Sequence, residues 1–137
     1  MRVELFKESD LWTILVQSQQ EYIKQFENND YSHLTGYTVY DGDTILACGG
    51  FIDAYGNGKR LVGWLVFTNN IKHKMKYIVS VIKEKIKERV GTFSRLECTC
   101  DTGFVNAHRL AYILGFECEC PLLRNFEANG NDSSMYV

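Results

Sequence analysis

The chain has 137 residues, 45% of them hydrophobic and 23% charged, with 15 Lys+Arg against 17 Asp+Glu for a formal charge of −2. That apolar share matches folded domains and excludes a disordered chain, which lacks the surface burial that offsets ordering entropy. The near-balance of charge excludes a polycation, and no apolar run approaches the roughly 18 residues of a membrane span.

The N-terminal stretch mixes charged and apolar residues from the start, with no apolar segment of signal-peptide length. Five cysteines, an odd number, read as reduced thiols. The expectation is one domain over residues 1–137, in the cytoplasm, with no membrane partner.

Val3 and Leu5 alternate with charged neighbours, the period of a short strand. Ser9 or Asp10 then offers a side-chain acceptor to the free amides of a helix start. Trp12, Leu15, Val16, Tyr22, Ile23 and Phe26 recur at helical spacing until Asn28, Asn29 and Asp30 end the run. From Gly36 the period changes to two. Tyr37–Tyr40 passes through a turn at Asp41, Gly42 and Asp43 into a strand over Thr44–Asp53, and a turn at Tyr55–Gly58 leads to a strand over Arg60–Thr68. Tight turns of this kind predict an antiparallel meander.

Asn69 or Asn70 caps the next helix, on which Ile71, Met75, Ile78, Val79, Ile82, Ile86 and Val90 share one face. Leu96, Cys98 and Cys100 alternate with Arg95, Glu97 and Thr99 as a strand. A helix over Phe104–Leu114 stops at Gly115, which suits a left-handed C-cap. Strands follow at Phe116–Cys120 and Met135–Val137, with a hairpin turn at Asn129–Asp132. Parallel neighbours need a long crossover, so the helix between the fourth and fifth strands predicts one parallel pair. The fold class is α/β or α+β, a mixed and mostly antiparallel sheet with helices on both faces.

This order, with the segments that fill it, resembles the GNAT N-acetyltransferase superfamily over nearly the whole chain. Thr44–Gly50 is similar to its strand of small residues, Gly63–Thr68 with the helix after it to its acyl-CoA-binding strand and helix, and Asn106–Phe116 to its closing helix. The Trp64 strand and the lysine-rich helix also look similar to GNAT-like internal virion proteins of short-tailed phages. The resemblance implies acetyl transfer from acetyl-CoA to an unknown amine acceptor. In the phage case it implies a catalytically degenerate protein that binds a protein partner in virion assembly, in the host cytoplasm or the virion.

The same resemblance places the pantetheine of acyl-CoA on the backbone around Val66–Thr68, with Val66 and Thr68 as its contacts, and the pyrophosphate at the start of the next helix. Free N–H groups and the helix dipole make such a start an anion site in general. The family's loop there carries glycines, whereas residues 69–76 of this chain contain none and instead carry Lys72, Lys74 and Lys76. Cations at a helix start oppose its dipole by about 0.3–1 kcal/mol each, so they invite an anionic partner. These lysines either place ammonium charge on the phosphates or mark a site lost to the cofactor; a solvated basic face is the plain alternative. Residues 71–90 carry seven Lys and Arg against two Glu, a local +5 on a body of −7. Nucleic acid is disfavoured, since only Tyr77 interleaves an aromatic ring with these lysines.

Acyl transfer needs a base for the amine proton and an acid for the leaving thiolate. By resemblance the acid is a tyrosine four residues before the glycine of Leu114, Gly115 and Phe116. Ala111 stands there, and Tyr112 follows one residue later, about 100° around the helix. Tyr112 and His108 are the catalytic candidates, His108 because imidazole ordinarily titrates near pH 6.5, about where proton transfer is needed. Asn106 is a candidate contact for the thioester end. Asp53, Glu97 and Asp101 are further carboxylates to weigh as the base. No metal is expected: in the pairs Cys98/Cys100 and Cys118/Cys120 the thiols stand roughly 6.6–6.8 Å apart along a strand, poorly placed for one ion. Both pairs read as core thiols, and neither His33 nor His73 has metal-ligand spacing.

Overall fold

Strands β1 (Arg2–Leu5), β2 (Gly36–Asp41), β3 (Thr44–Asp53), β4 (Arg60–Phe67), β5 (Arg95–Asp101), β6 (Cys118–Leu123) and β7 (Ser133–Tyr136) alternate with helices α1 (Glu8–Thr13), α2 (Met75–Lys87) and α3 (Val105–Ile113). The computed structural model describes residues 1–14, 34–68, 71–127 and 129–137, with Lys72 described by its backbone alone. The strands form one sheet in the order β1-β2-β3-β4-β5-β7-β6. Its pairs β1/β2, β2/β3, β5/β7 and β6/β7 are antiparallel and β4/β5 is parallel. This is the mixed α+β sheet that the element order predicts. The chain groups into two compact units, Met1–Ile52 with Gly63–Val81, and Asp53–Val62 with Ile82–Val137.

In the first unit, β2 turns into β3 through Gly42, whose φ of 60° suits a residue without a Cβ. At the other end of this pair two glycines face each other, Gly36 opposite Gly50. A Cβ on Gly36 would lie 2.1 Å from the Gly49 carbonyl oxygen, and one on Gly50 would lie 2.2 Å from that of Thr35. The core gathers Leu11, Ile14, Tyr40, Ile45, Cys48 and Val66, against which Phe6 and Trp64 pack edge to face at 4.9 Å.

The first helix departs from its sequence pattern. Its N-cap is Lys7 rather than Ser9 or Asp10, and Asp10, three residues in, accepts the Lys7 amide at 3.0 Å. It ends at Thr13, because Ile14 takes an extended backbone with ψ of 137°, so the apolar stripe from Trp12 to Phe26 is not one continuous helix. The expected stripe and stop residues from Leu15 to Asp30 lie outside the described residues, as do His33 and the Asn69 or Asn70 cap.

Helix α2 follows a single 3-10 turn over Lys72–Lys74 and buries Ile78 and Val81. It ends before Val90, which is 67% exposed and so no part of the apolar face. Gly91, with φ of 92°, reverses the chain just beyond it.

In the second unit β4 and β5 pair in parallel at Arg60↔Arg95, Leu61↔Leu96 and Val62↔Glu97. Beside the buried pair Leu61 and Leu96 stands a cluster of charge. Glu97, 3% exposed, accepts from Arg60 and Arg95, and Arg95 reaches on to Glu119 at 2.6 and 2.8 Å. Strand β6 begins two residues later than its pattern suggests and runs on through Pro121. It is an edge strand with two register shifts, where a missing amide costs little. Cys100 lies in a small core with Ala111 and Tyr136, packed by Cys98, Ala107 and Phe116. Cys118 is exposed, so the second cysteine pair is not a core pair.

Candidate active site

In the first unit, the end of β4 and the start of the following helix carry the residues expected to hold the acyl donor. The Val66 side chain is buried in the core with Tyr40 and Cys48, and Thr68 is buried with its amide donating to the Leu46 carbonyl at 2.9 Å. Both side chains are therefore buried, and the Thr68 amide is used within the sheet.

Ile71 is buried and its carbonyl accepts the Lys74 amide at 2.9 Å, which closes the 3-10 turn. The Lys74 ammonium meets the Asp41 carboxylate at 3.2 Å, both side chains being half-exposed. Lys76 is exposed, as is His73. No acidic residue stands in the first turn of α2.

In the second unit, α3 starts after Phe104 and ends in Gly115 with φ of 94°, the left-handed cap its sequence predicts. Its face toward β5 and β7 is Ala107, Leu110 and Ala111; its outer face carries Asn106, Arg109 and Tyr112. The step of one residue from Ala111 to Tyr112 moves from a buried position to one that is 61% exposed.

His108 and Tyr112 are brought together by a third residue that sequence reasoning missed. His108 Nδ1 lies 2.7 Å from the Tyr136 hydroxyl, and its Nε2 lies 2.9 Å from the Asp101 carbonyl oxygen. A carbonyl only accepts, so Nε2 carries the hydrogen and Nδ1 accepts from the Tyr136 O–H. The Tyr112 ring packs edge-on against Tyr136 at 5.6 Å. Burial pushes the Tyr136 phenol up to about 12, with the Tyr112 phenol adding to the effect. The one advance signal for Tyr136 was the expected strand at Met135–Val137. Nothing in its spacing said that its tyrosine would stand between β5 and β6, opposite Cys98 and Cys118.

The other carboxylates are committed elsewhere. Asp53 accepts the amides of Gly56 and Gly58 and so shapes the turn. Asp101 accepts the Gly103 amide and the Asn131 side chain. Hydrogen bonding from Arg60, then from Arg95, holds the Glu97 carboxyl below its ordinary range. Cys48 is buried against the Thr38 hydroxyl, and burial pushes its thiol up to about 12, far from a nucleophile at neutral pH. Within the Cys98/Cys100 pair each thiol acts on the other, lowering Cys98 and raising Cys100.

Among solved structures, the chain is similar to a probable acetyltransferase from Staphylococcus epidermidis, with 14% identity over 98% of this chain and 96% of that one, and a TM-score of 0.74. An acetyltransferase of the GNAT family from Bacillus anthracis aligns with 12% identity, 98% and 91% coverage and a TM-score of 0.68. The chain has the fold of GNAT acetyltransferases. A Bacillus subtilis acetyltransferase in complex with CoA aligns over 98% of this chain and 95% of that one, at 13% identity and a TM-score of 0.65. No family model and no curated protein matches the sequence. Among the described residues no helix is long and apolar enough to cross a membrane, and no group of three or more His, Cys, Asp and Glu is arranged to hold a metal ion.

Proposed function

We propose that the chain is an acyl-CoA-dependent N-acyltransferase that moves an acetyl group to an amine. The observation that carries this reading is the alignment of at least 98% of the chain with acetyltransferases of the same fold. In the reading, backbone at Val66 and Thr68 aligns the pantetheine, Lys72, Lys74 and Lys76 meet the phosphates, and Asn106 contacts the thioester end. Tyr112 and His108 handle the proton. Acetyl-CoA supplies an activated acyl carbon and a thiolate leaving group; the protein supplies position and proton transfer.

The residues present suit a phosphorylated donor. A helix start without acidic side chains favours an anion. The one carboxylate against these lysines among the described residues is Asp41, and its half-exposed pair with Lys74 is worth only about 0–1 kcal/mol, so a phosphate can displace it.

Calorimetry with acetyl-CoA at low salt tests the reading, which predicts saturable binding. Lys74→Ala should weaken that binding about two- to fivefold, an effect of the size expected for a cation near a helix end, and less at high salt. Asp41→Asn should act in the opposite direction by releasing the Lys74 ammonium. Absence of saturable binding would sink the enzyme reading and leave the non-catalytic, partner-binding protein of the phage type as the better account of the basic helix.

A further inference from the structure

One imidazole ties helix α3 to the sheet twice. The helix has nine residues, and its N-cap Phe104 makes no side-chain hydrogen bond. Helices shorter than roughly 12–15 residues do not stand alone in water, so α3 depends on its seat. His108 Nε2 donates to the Asp101 carbonyl of β5 at 2.9 Å, the same oxygen that accepts the Phe104 amide at 2.9 Å. Its Nδ1 accepts from the Tyr136 hydroxyl of β7 at 2.7 Å. Tyr136 is 3% exposed and lies with Cys100 and Ala111, packed by Cys98, Ala107 and Phe116. Only the neutral imidazole fits this arrangement. A proton on Nδ1 turns an acceptor into a donor, and the buried Tyr136 O–H loses the acceptor it has. It also places a cation in the first turn of a helix, against the dipole, where no acidic side chain stands to offset it.

We infer that His108 is a pH-sensitive latch for α3, closed while its imidazole is neutral and released when it takes a proton. The titratable groups on the elements around it are Cys98, Cys100 and Asp101 of β5, Tyr136 of β7, Cys118 of β6 beyond it, and Arg109 and Tyr112 of α3 itself. Among the described residues, Tyr136 is the one that bonds Nδ1. The Asp101 carboxylate, a group that would favour an imidazolium, is taken by the Gly103 amide and the Asn131 side chain. Glu127 and Asp132, ahead of β7, accept from the Ser133 hydroxyl and the Asn125 amide. Imidazole ordinarily titrates near pH 6.5, so the latch is closed above that range and opens as pH falls through it. Opening frees the outer face of α3, with Asn106, Arg109 and Tyr112. The latch lies wholly within the second unit and does not depend on the acyltransferase reading.

Hydrogen exchange of the intact protein tests the latch, with the amides of α2 as internal reference. Between about pH 7.5 and about pH 5.5, corrected for intrinsic exchange, the protection of α3 relative to α2 should fall about tenfold or more in the wild type. His108→Gln offers one donor and one acceptor but takes no proton in this range, and should hold the ratio constant. Tyr136→Phe should lower α3 protection already at the higher pH and reduce the fall, since no hydroxyl is left to lose its acceptor. Nitrogen NMR of the wild type at about pH 8 should show His108 protonated at Nε2 alone. A constant ratio in the wild type, an equal fall in His108→Gln, or an Nδ1–H tautomer at that pH would overturn the latch. The first and last of these need no variant to fold. Failure to bind acetyl-CoA would overturn the acyltransferase reading and leave the latch standing.

Discussion

Each unit of the molecule buries a tyrosine against a partner able to take its proton, and the two arrangements end differently. In the first, Tyr40 donates to Asp10 Oδ1 at 3.0 Å, while the Thr38 hydroxyl and the Lys7 amide donate to Oδ2 at 2.8 and 3.0 Å. All four groups are tied to one another, Asp10 is 5% exposed, and the Arg2 guanidinium covers the Tyr40 ring at 4.3 Å. Burial, then the bond to Asp10, raises the Tyr40 phenol. In the second, Tyr136 donates to His108 and its ring packs edge-on against that of exposed Tyr112. A closed set of donors and acceptors can only hold α1 onto β2. The difference lies in one exposed ring at the edge of the second set.

The largest effect should come from breaking the closed set. Asp10→Ala leaves two hydroxyls and an amide without an acceptor in the core, and should cost about 3–5 kcal/mol in urea denaturation, the range for removing one side of a buried charged cluster. A cost under about 1 kcal/mol, the net worth of a single ordinary hydrogen bond, would mean the set is not closed at all.

Next in size is Glu97, whose arginine partners are part-exposed. Glu97→Gln should cost about 1.5–3 kcal/mol at neutral pH, the worth of hydrogen bonds to a charged group. Because its folded-state carboxyl lies below its ordinary value, this contribution is complete above the unfolded pKa of about 4.3 and is lost as pH falls through the folded value. Melting curves of wild type and Glu97→Gln should therefore converge below about pH 4. Parallel curves down to strongly acid pH would remove the carboxylate from the explanation.

Tyr112→Phe should change stability by less than about 0.5 kcal/mol, the range for surface positions, while it lowers acetyl-transfer turnover about 100-fold, the usual scale of proton-transfer catalysis. That split separates a role in proton transfer from a structural contact. The smallest perturbation is chemical: iodoacetamide at mild alkaline pH should label exposed Cys118 first and the buried Cys48 and Cys100 last, since both thiols are raised. Early labelling of Cys48 would show that the core of the first unit opens readily.

Much of the fold was legible because its boundaries are local. Strand β3 coincides with its sequence prediction, Thr44–Asp53, since a turn glycine and a turn aspartate bracket it. The crossover helix and the parallel pair that follows from it were legible for the same reason. Errors came where a periodic pattern ran past the point at which the backbone turned, as at Ile14 and Val90. The candidate site was legible only in its members on one helix, His108 and Tyr112. What joins them is register between β5, β6 and β7, which sets Tyr136 opposite Cys98 and Cys118, both distant in the sequence. Spacing along the sequence carries no trace of that. Likewise Cys118 reads as apolar by alternation, yet it sits on an edge strand whose shifted register turns it outward.

The facing glycines at the open end of β2 and β3 have a consequence for how this sequence can vary. Added atoms at either place would strike main-chain oxygen, at 2.1 and 2.2 Å, and not a neighbour's removable side chain. No second replacement elsewhere can make room, because there is no group to trim. In a library saturating both codons, Gly36 and Gly50 should survive as the bare pair alone, each position barred from drifting however the other changes.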